Sequence, residues 1–155
     1  MKNISSSFLT VGLLAVLLFT GCAASVQSAG AQAAPSLYKK LGGYDAIAAV
    51  ADDFIGRLAA DKQLSRFLVG LSADSEKRLR QNVVDQLCQA TGGSCLYIGR
   101  PMKTAHAGLG ITESDWQLTV KHLIASLEKS KVPEKEKNEF LALASSLKPD
   151  IVEKK

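Results

Sequence analysis

Histidine and cysteine are scarce in this chain, which has two histidines and three cysteines in 155 residues, with one tryptophan and 6% aromatics. Two histidines do not by themselves make a conventional three- or four-ligand catalytic metal site. No HExxH or HxxxD pattern adds carboxylates on the same helical face. CxxC and CxxCH are also absent, which excludes thioredoxin-type chemistry and the covalent attachment motif of c-type cytochromes. There is no dense Lys/Arg cluster with interleaved aromatics. The net charge is only +4, and the lysines between 121 and 137 alternate with glutamates as on a solvated helix face. No nucleic-acid partner is expected. Strand-like alternation and internal repeats are missing as well. With 46% hydrophobic and 22% charged residues, the chain has the balance of one folded domain.

Residues 1–21 do not belong to that domain. Lys2 precedes an apolar run from Phe8 to Phe19 that is too short for a comfortable membrane span, and small residues follow it. This is the pattern of an export signal. Leu18-Phe19-Thr20-Gly21-Cys22 resembles a bacterial lipobox, in which Cys22 is lipidated and becomes the mature N-terminus. Phe19 stands where leucine is more usual. The alternative is ordinary cleavage after Ala31, releasing a soluble periplasmic product. With lipidation, the expected place is the periplasmic face of a membrane, and Ala23 suits the outer one. The lipid would be the only membrane contact. Residues 22–35 are small and polar without periodicity, as in a tether. The folded domain is expected over 36–155.

Within it, Leu37 to Gly43 is a short lead-in. Ile47, Val50, Ala51, Phe54, Ile55 and Leu58 recur at three- and four-residue steps, which predicts a helix over 44–60. Leu64, Phe67 and Leu68 suggest one helical turn. A helix follows over 76–90, ended by Thr91-Gly92-Gly93. Residues 94–101 read as a loop, and 102–107 leave room for a short helix. Thr112 with Asp115 opens the next helix by capping logic, although glutamate or glutamine is the usual partner. Pro133 begins the last helix and Pro149 ends it. The fold class is all-α.

Export leaves Cys88 and Cys95 as an even pair across a glycine-containing turn. A disulfide there would staple a helix end to the following loop; two reduced cysteines are the alternative. A single histidine can hold a heme iron. His106 sits on a short helix between glycine-rich breaks, with Met102 one turn earlier on the same face. Taken alone, a histidine in such a place more often caps a helix or faces solvent. His122 reads as structural.

The ordered pieces resemble the group I truncated hemoglobins, with their two-over-two helical sandwich. They are Leu37-Tyr38-Lys39-Lys40-Leu41-Gly42-Gly43, Asp53-Phe54, Leu58-Ala59-Ala60-Asp61, Gly92-Gly93, Tyr97 through His106, Gly110-Ile111-Thr112 and Val132-Pro133. The resemblance implies heme b with His106 as the proximal iron ligand. Its other ring nitrogen would donate to a backbone carbonyl or to water. Phe54, Leu68, Leu79, Tyr97 and Met102 would pack the heme.

The distal side departs from the family pattern. Ile55 stands where a tyrosine is usual, and Val83 where a glutamine often assists; Leu79 lies nearby. Thr119 is the one hydroxyl expected beside this wall, and its bond is expected to go to the helix carbonyl below. Register over 68–76 is disturbed by a short insertion. The resemblance therefore implies an exported monomer that binds oxygen, carbon monoxide or nitric oxide reversibly in an apolar distal pocket. The alternatives are a nitric oxide dioxygenase or peroxidase-like enzyme, which would need polar distal groups and an electron donor, and a heme-based redox protein.

Overall fold

The computed structural model describes residues 34–154. The export signal, Cys22 and most of the tether lie outside the described residues. Within them the chain forms seven helices: α1 (Leu37–Leu41), α2 (Tyr44–Ala60), α3 (Ala73–Ala90), α4 (Met102–His106), α5 (Glu113–Lys129), α6 (Glu134–Ser146) and α7 (Lys148–Ile151). A 3-10 turn, Ser65–Phe67, links α2 to α3.

The apolar stripes decide the packing. Ile47, Ala48, Val50 and Ala51 of α2 meet Val84 and Cys88 of α3, Leu123 and Leu127 of α5, and Phe140 of α6. Burying side chains the size of Ile47, Leu127 and Phe140 contributes about 1.5–3 kcal/mol each. α2 packs against both α3 and α5, and α5 against α6. The result is two helix pairs stacked through α2 and α5, the two-over-two sandwich.

Local chemistry sets the boundaries. α2 spans the predicted 44–60. α3 starts three residues earlier than expected, because the Ser72 hydroxyl accepts from the Ser75 N–H and caps the helix at Ala73. Thr112 caps α5, and Asp115 completes the box in place of glutamate, accepting from the Thr112 N–H at 2.9 Å. Pro133 is the N-cap of α6 rather than its first residue. Pro149 does not terminate that helix. α6 ends at Ser146, and Pro149 sits in the first turn of α7, where its missing N–H costs nothing. The tail after α7 returns to the start of α5 and makes an isolated parallel bridge, Thr112 to Lys154. No local pattern in the sequence announces that pairing.

The end of α3 is drawn tightly against α1. The Tyr38 N–H donates to the Thr91 carbonyl at 2.8 Å. A Cβ on Gly93 would come within 2.5 Å of Cys88 Sγ and 2.7 Å of the Tyr38 ring. Only glycine allows this approach. A disulfide joins Cys88 to Cys95, with their Cα atoms 5.8 Å apart. It anchors the loop that leads to α4 on a cysteine fully buried in the core.

Candidate functional site

His106 closes α4. Its Nδ1 lies 2.8 Å from the Met102 carbonyl oxygen one turn back. A carbonyl only accepts, so Nδ1 donates. In the neutral ring the lone pair is then on Nε2. Second-partner bonds of this kind set the tautomer and orientation of a metal-binding imidazole.

The other residues singled out in the sequence lie on six parts of the fold. Phe54 and Ile55 are on α2, Leu68 follows the 3-10 turn, Leu79 and Val83 are on α3, and Tyr97 is in the loop before α4. Met102 opens α4 and Thr119 is on α5. With His106 they make nine, and every one is half-buried. Phe54 and Val83 pack against the central core. Half-burial leaves part of each of these apolar side chains uncovered.

Besides His106, two of the nine have hydrogen-bond partners. Thr119 Oγ1 donates to the Asp115 carbonyl at 2.8 Å, so its proton is spent on its own helix. Tyr97 folds back on its loop. Its hydroxyl donates to the Arg100 carbonyl at 2.6 Å, and its ring lies so close to Gly99 that a Cβ there would collide. Burial pushes the Tyr97 phenol above its ordinary pKa, with the nearby Arg100 charge partly opposing. Ile55 lines a cavity of 320 Å³ between α2 and α3 with Asp52, Ala73, Glu76, Lys77 and Arg80. Leu79 and Val83 do not line this cavity, which has charged groups at its border. Arg80 is committed to Asp52 through two bonds, of 2.5 and 2.8 Å. These four charges belong to the surroundings of Ile55, and sequence reading missed them. The α3 boundary at Ala73 brings three of them over α2.

Asp115 does more than cap α5. Its side chain is 1% exposed and joins three segments. It accepts from Thr112 N (2.9 Å) and Thr112 Oγ1 (2.7 Å), from Arg66 Nη2 (2.8 Å) and from Gln63 Nε2 (2.8 Å). Burial alone would raise its pKa; the bonds from Gln63 and Thr112 and the Arg66 charge outweigh this and hold it below the ordinary carboxylate value. His122 proves structural. Its Nε2 donates to Asp61 at 2.9 Å, tying α5 to the end of α2, and this bond is the main reason the Asp61 carboxyl is held low.

No group of three or more His, Cys, Asp or Glu among the described residues is arranged to hold a metal ion. One imidazole whose Nδ1 is already engaged suits a metal that brings its own equatorial ligands, as heme iron does. The half-buried apolar set suits the porphyrin that would carry it. The residues present fit heme.

Comparison with known proteins points the same way. Residues 36–153 match the family model described as bacterial-like globin. The chain is 36% identical over 116 residues to a group 1 truncated hemoglobin of Mycolicibacterium paratuberculosis, covering 75% of this chain and 83% of that relative. A group 1 truncated hemoglobin of Synechocystis is 30% identical over 115 residues, covering 72% and 90%. The 2/2 hemoglobin of a Synechococcus species, solved in the cyanomet state with covalently attached heme, matches with a TM-score of 0.69. It is 27% identical and covers 76% of this chain and 98% of that one. Two helix pairs stacked as here, a single well-oriented histidine and these matches have one common explanation: the chain belongs to the bacterial-like globins, as a group I truncated hemoglobin, a family whose defining cofactor is heme b.

Proposed function

We propose that this chain binds heme b through His106 Nε2 and uses it to bind a diatomic gas reversibly, outside the cytoplasm. The observation that carries the reading is the 2.8 Å bond from His106 Nδ1 to the Met102 carbonyl. It places the Nδ1 proton, orients the ring and leaves Nε2 to bind the iron. Heme b supplies an iron able to take oxygen, carbon monoxide or nitric oxide. The chain's own side chains do the rest. Phe54, Leu68, Leu79 and Met102 cover the macrocycle and exclude water, and the ring of Tyr97 adds to its rim.

On the gas-binding side, Ile55, Leu79 and Val83 have no hydrogen-bond donor, and the Thr119 hydroxyl is occupied. Oxygen gains more from a donor than carbon monoxide or nitric oxide does. Withholding one forgoes about 1.5–3 kcal/mol of charge-assisted bonding. This favours rapid oxygen release and a preference for the less polar ligands. Arg80, which borders the cavity beside Ile55, is held by Asp52. Turnover of nitric oxide or peroxide would call for polar groups that these residues do not supply.

Export as a Cys22-anchored lipoprotein is part of the same proposal. The Cys88–Cys95 disulfide supports it, because such bonds persist in oxidising compartments.

Absorption spectra of the purified protein in ferric, ferrous and carbon monoxide forms test the heme reading against His106→Ala. Wild type is expected to take up heme and show a five-coordinate ferrous spectrum. His106→Ala should lose the axial bond and recover it with added imidazole. A variant spectrum identical to wild type would remove His106 from the site. Fatty-acid labelling that persists in Cys22→Ala would refute the anchor.

A further inference from the structure

Nothing within α4 is sufficient to hold His106 where it is. The helix has five residues and no side-chain cap at its start, and a helix that short has no stability of its own. The helix it packs against is α7, near the end of the chain. After His106 the backbone turns through Gly108 and Gly110, with φ of 82° and 66°.

Both of those glycine N–H groups go to one side chain. Gly108 N donates to Glu153 Oε1 at 2.6 Å, and Gly110 N donates to Glu153 Oε2 at 2.5 Å. The backbone around Glu153 completes the join. Glu153 N and Lys154 N donate to the Ile111 carbonyl at 2.9 and 3.1 Å, and Glu113 N donates to the Lys154 carbonyl at 3.1 Å. The tail is therefore stitched along 108–113, with the carboxylate at the end nearer His106. Bonds to an ionised acceptor are shorter and stronger than neutral ones. The two glycine bonds also hold the Glu153 carboxyl below its ordinary pKa, Gly108 contributing most.

We propose that Glu153 is a positioning residue for His106: by clamping the N–H groups of Gly108 and Gly110, it fixes the chain leaving the imidazole and so the direction of Nε2. The inference rests on His106 being the axial ligand. Two oxygens match two donors. The Glu153→Gln substitution would keep one acceptor and turn an amide N–H toward the other glycine, while Glu153→Ala would leave both N–H groups to water. Lys148 supplies the control. Its Nζ meets Glu113 Oε1 at 2.8 Å, so it also joins α7 to this segment, but without touching the glycines.

The test uses the full heme-loaded protein as wild type, Glu153→Ala, Glu153→Gln and Lys148→Ala. Two quantities are read: the iron–histidine stretching band of the ferrous form by resonance Raman, and hydrogen exchange at the Gly108 and Gly110 amides. Glu153→Ala is expected to shift and broaden the band and to speed exchange at both amides about tenfold or more. Glu153→Gln should fall between it and wild type, and should report even if the alanine variant folds poorly. Lys148→Ala is expected to lower the melting temperature and leave the band in place. A band in both Glu153 variants that moves no more than in Lys148→Ala would overturn the clamp while leaving His106 as ligand. Absence of an iron–histidine band in wild type would instead overturn the ligand reading, and the clamp with it.

Discussion

Replacing Asp115 tests whether the carboxylate buried at the head of α5 holds the loop around it. The side chain is 1% exposed, and its Arg66 partner is 51% exposed. In Asp115→Ala, Arg66 and Gln63 can turn toward water, so losing them costs little. The Thr112 N–H is held in place by the helix start and would be left without its acceptor, at about 1–3 kcal/mol. The other half of the capping box, the residue 115 N–H donating to Thr112 Oγ1, is a backbone bond and remains. A cost near 2 kcal/mol follows, or a drop of about 8 °C in melting temperature for a domain of this size. Asp115→Asn keeps one acceptor for Thr112, and Gln63 can reverse its amide to suit the new N–H₂. Its cost should be about half, on the order of 1 kcal/mol. Urea unfolding followed by helical circular dichroism, at fixed heme concentration, measures both.

The pH dependence adds a second check. The Asp115 carboxyl is held low, so its contribution is fully present above the ordinary value near 4 and is lost as pH falls through the lower folded value. The gap between wild type and Asp115→Asn should be flat from neutral pH down to about 5 and close in stronger acid. An alanine variant within about 0.5 kcal/mol of wild type, or a gap that widens in acid, would refute the account.

Ile55→Tyr should slow oxygen dissociation by roughly ten- to a hundredfold, measured by stopped flow, if the wild-type wall lacks a donor; an unchanged rate counts against that. Reducing Cys88–Cys95, a sequence separation of 7, should cost about 2.5 kcal/mol by loop entropy. A urea midpoint unmoved by dithiothreitol would show that the bond does not stabilise the domain.

Much of the scaffold was legible because its information is local. The stripe of Ile47, Val50 and Ala51 returns every three to four residues, so α2 could be bounded from periodicity. Gly92 and Gly93 marked the end of α3, and Thr112 with Asp115 marked the start of α5 by capping chemistry. Pro149 misled for a related reason. Proline forbids a helix interior but suits a first turn, and which applies depends on whether a new helix starts there. His106 could be named as ligand only through family resemblance, since nothing local distinguishes it from a capping histidine. The hydrogen bond to Met102 that makes it a suitable donor depends on the helical turn being formed.

By itself, then, the sequence determined the four long helices to within a few residues, the all-α class, the glycines that permit close approach and the absence of donors at Ile55, Leu79 and Val83. Each of these is a property of residue type and spacing along one stretch of chain. Tertiary structure alone decided which distant groups meet. Asp115 receives Arg66 and Gln63 from 49 and 52 residues away, Arg80 is taken by Asp52 across the α2–α3 groove, and Glu153 reaches back 45 and 43 residues to Gly108 and Gly110. A carboxylate takes whichever donors folding brings within bonding distance. That distance is set by how the helices stack, which no spacing along the chain records.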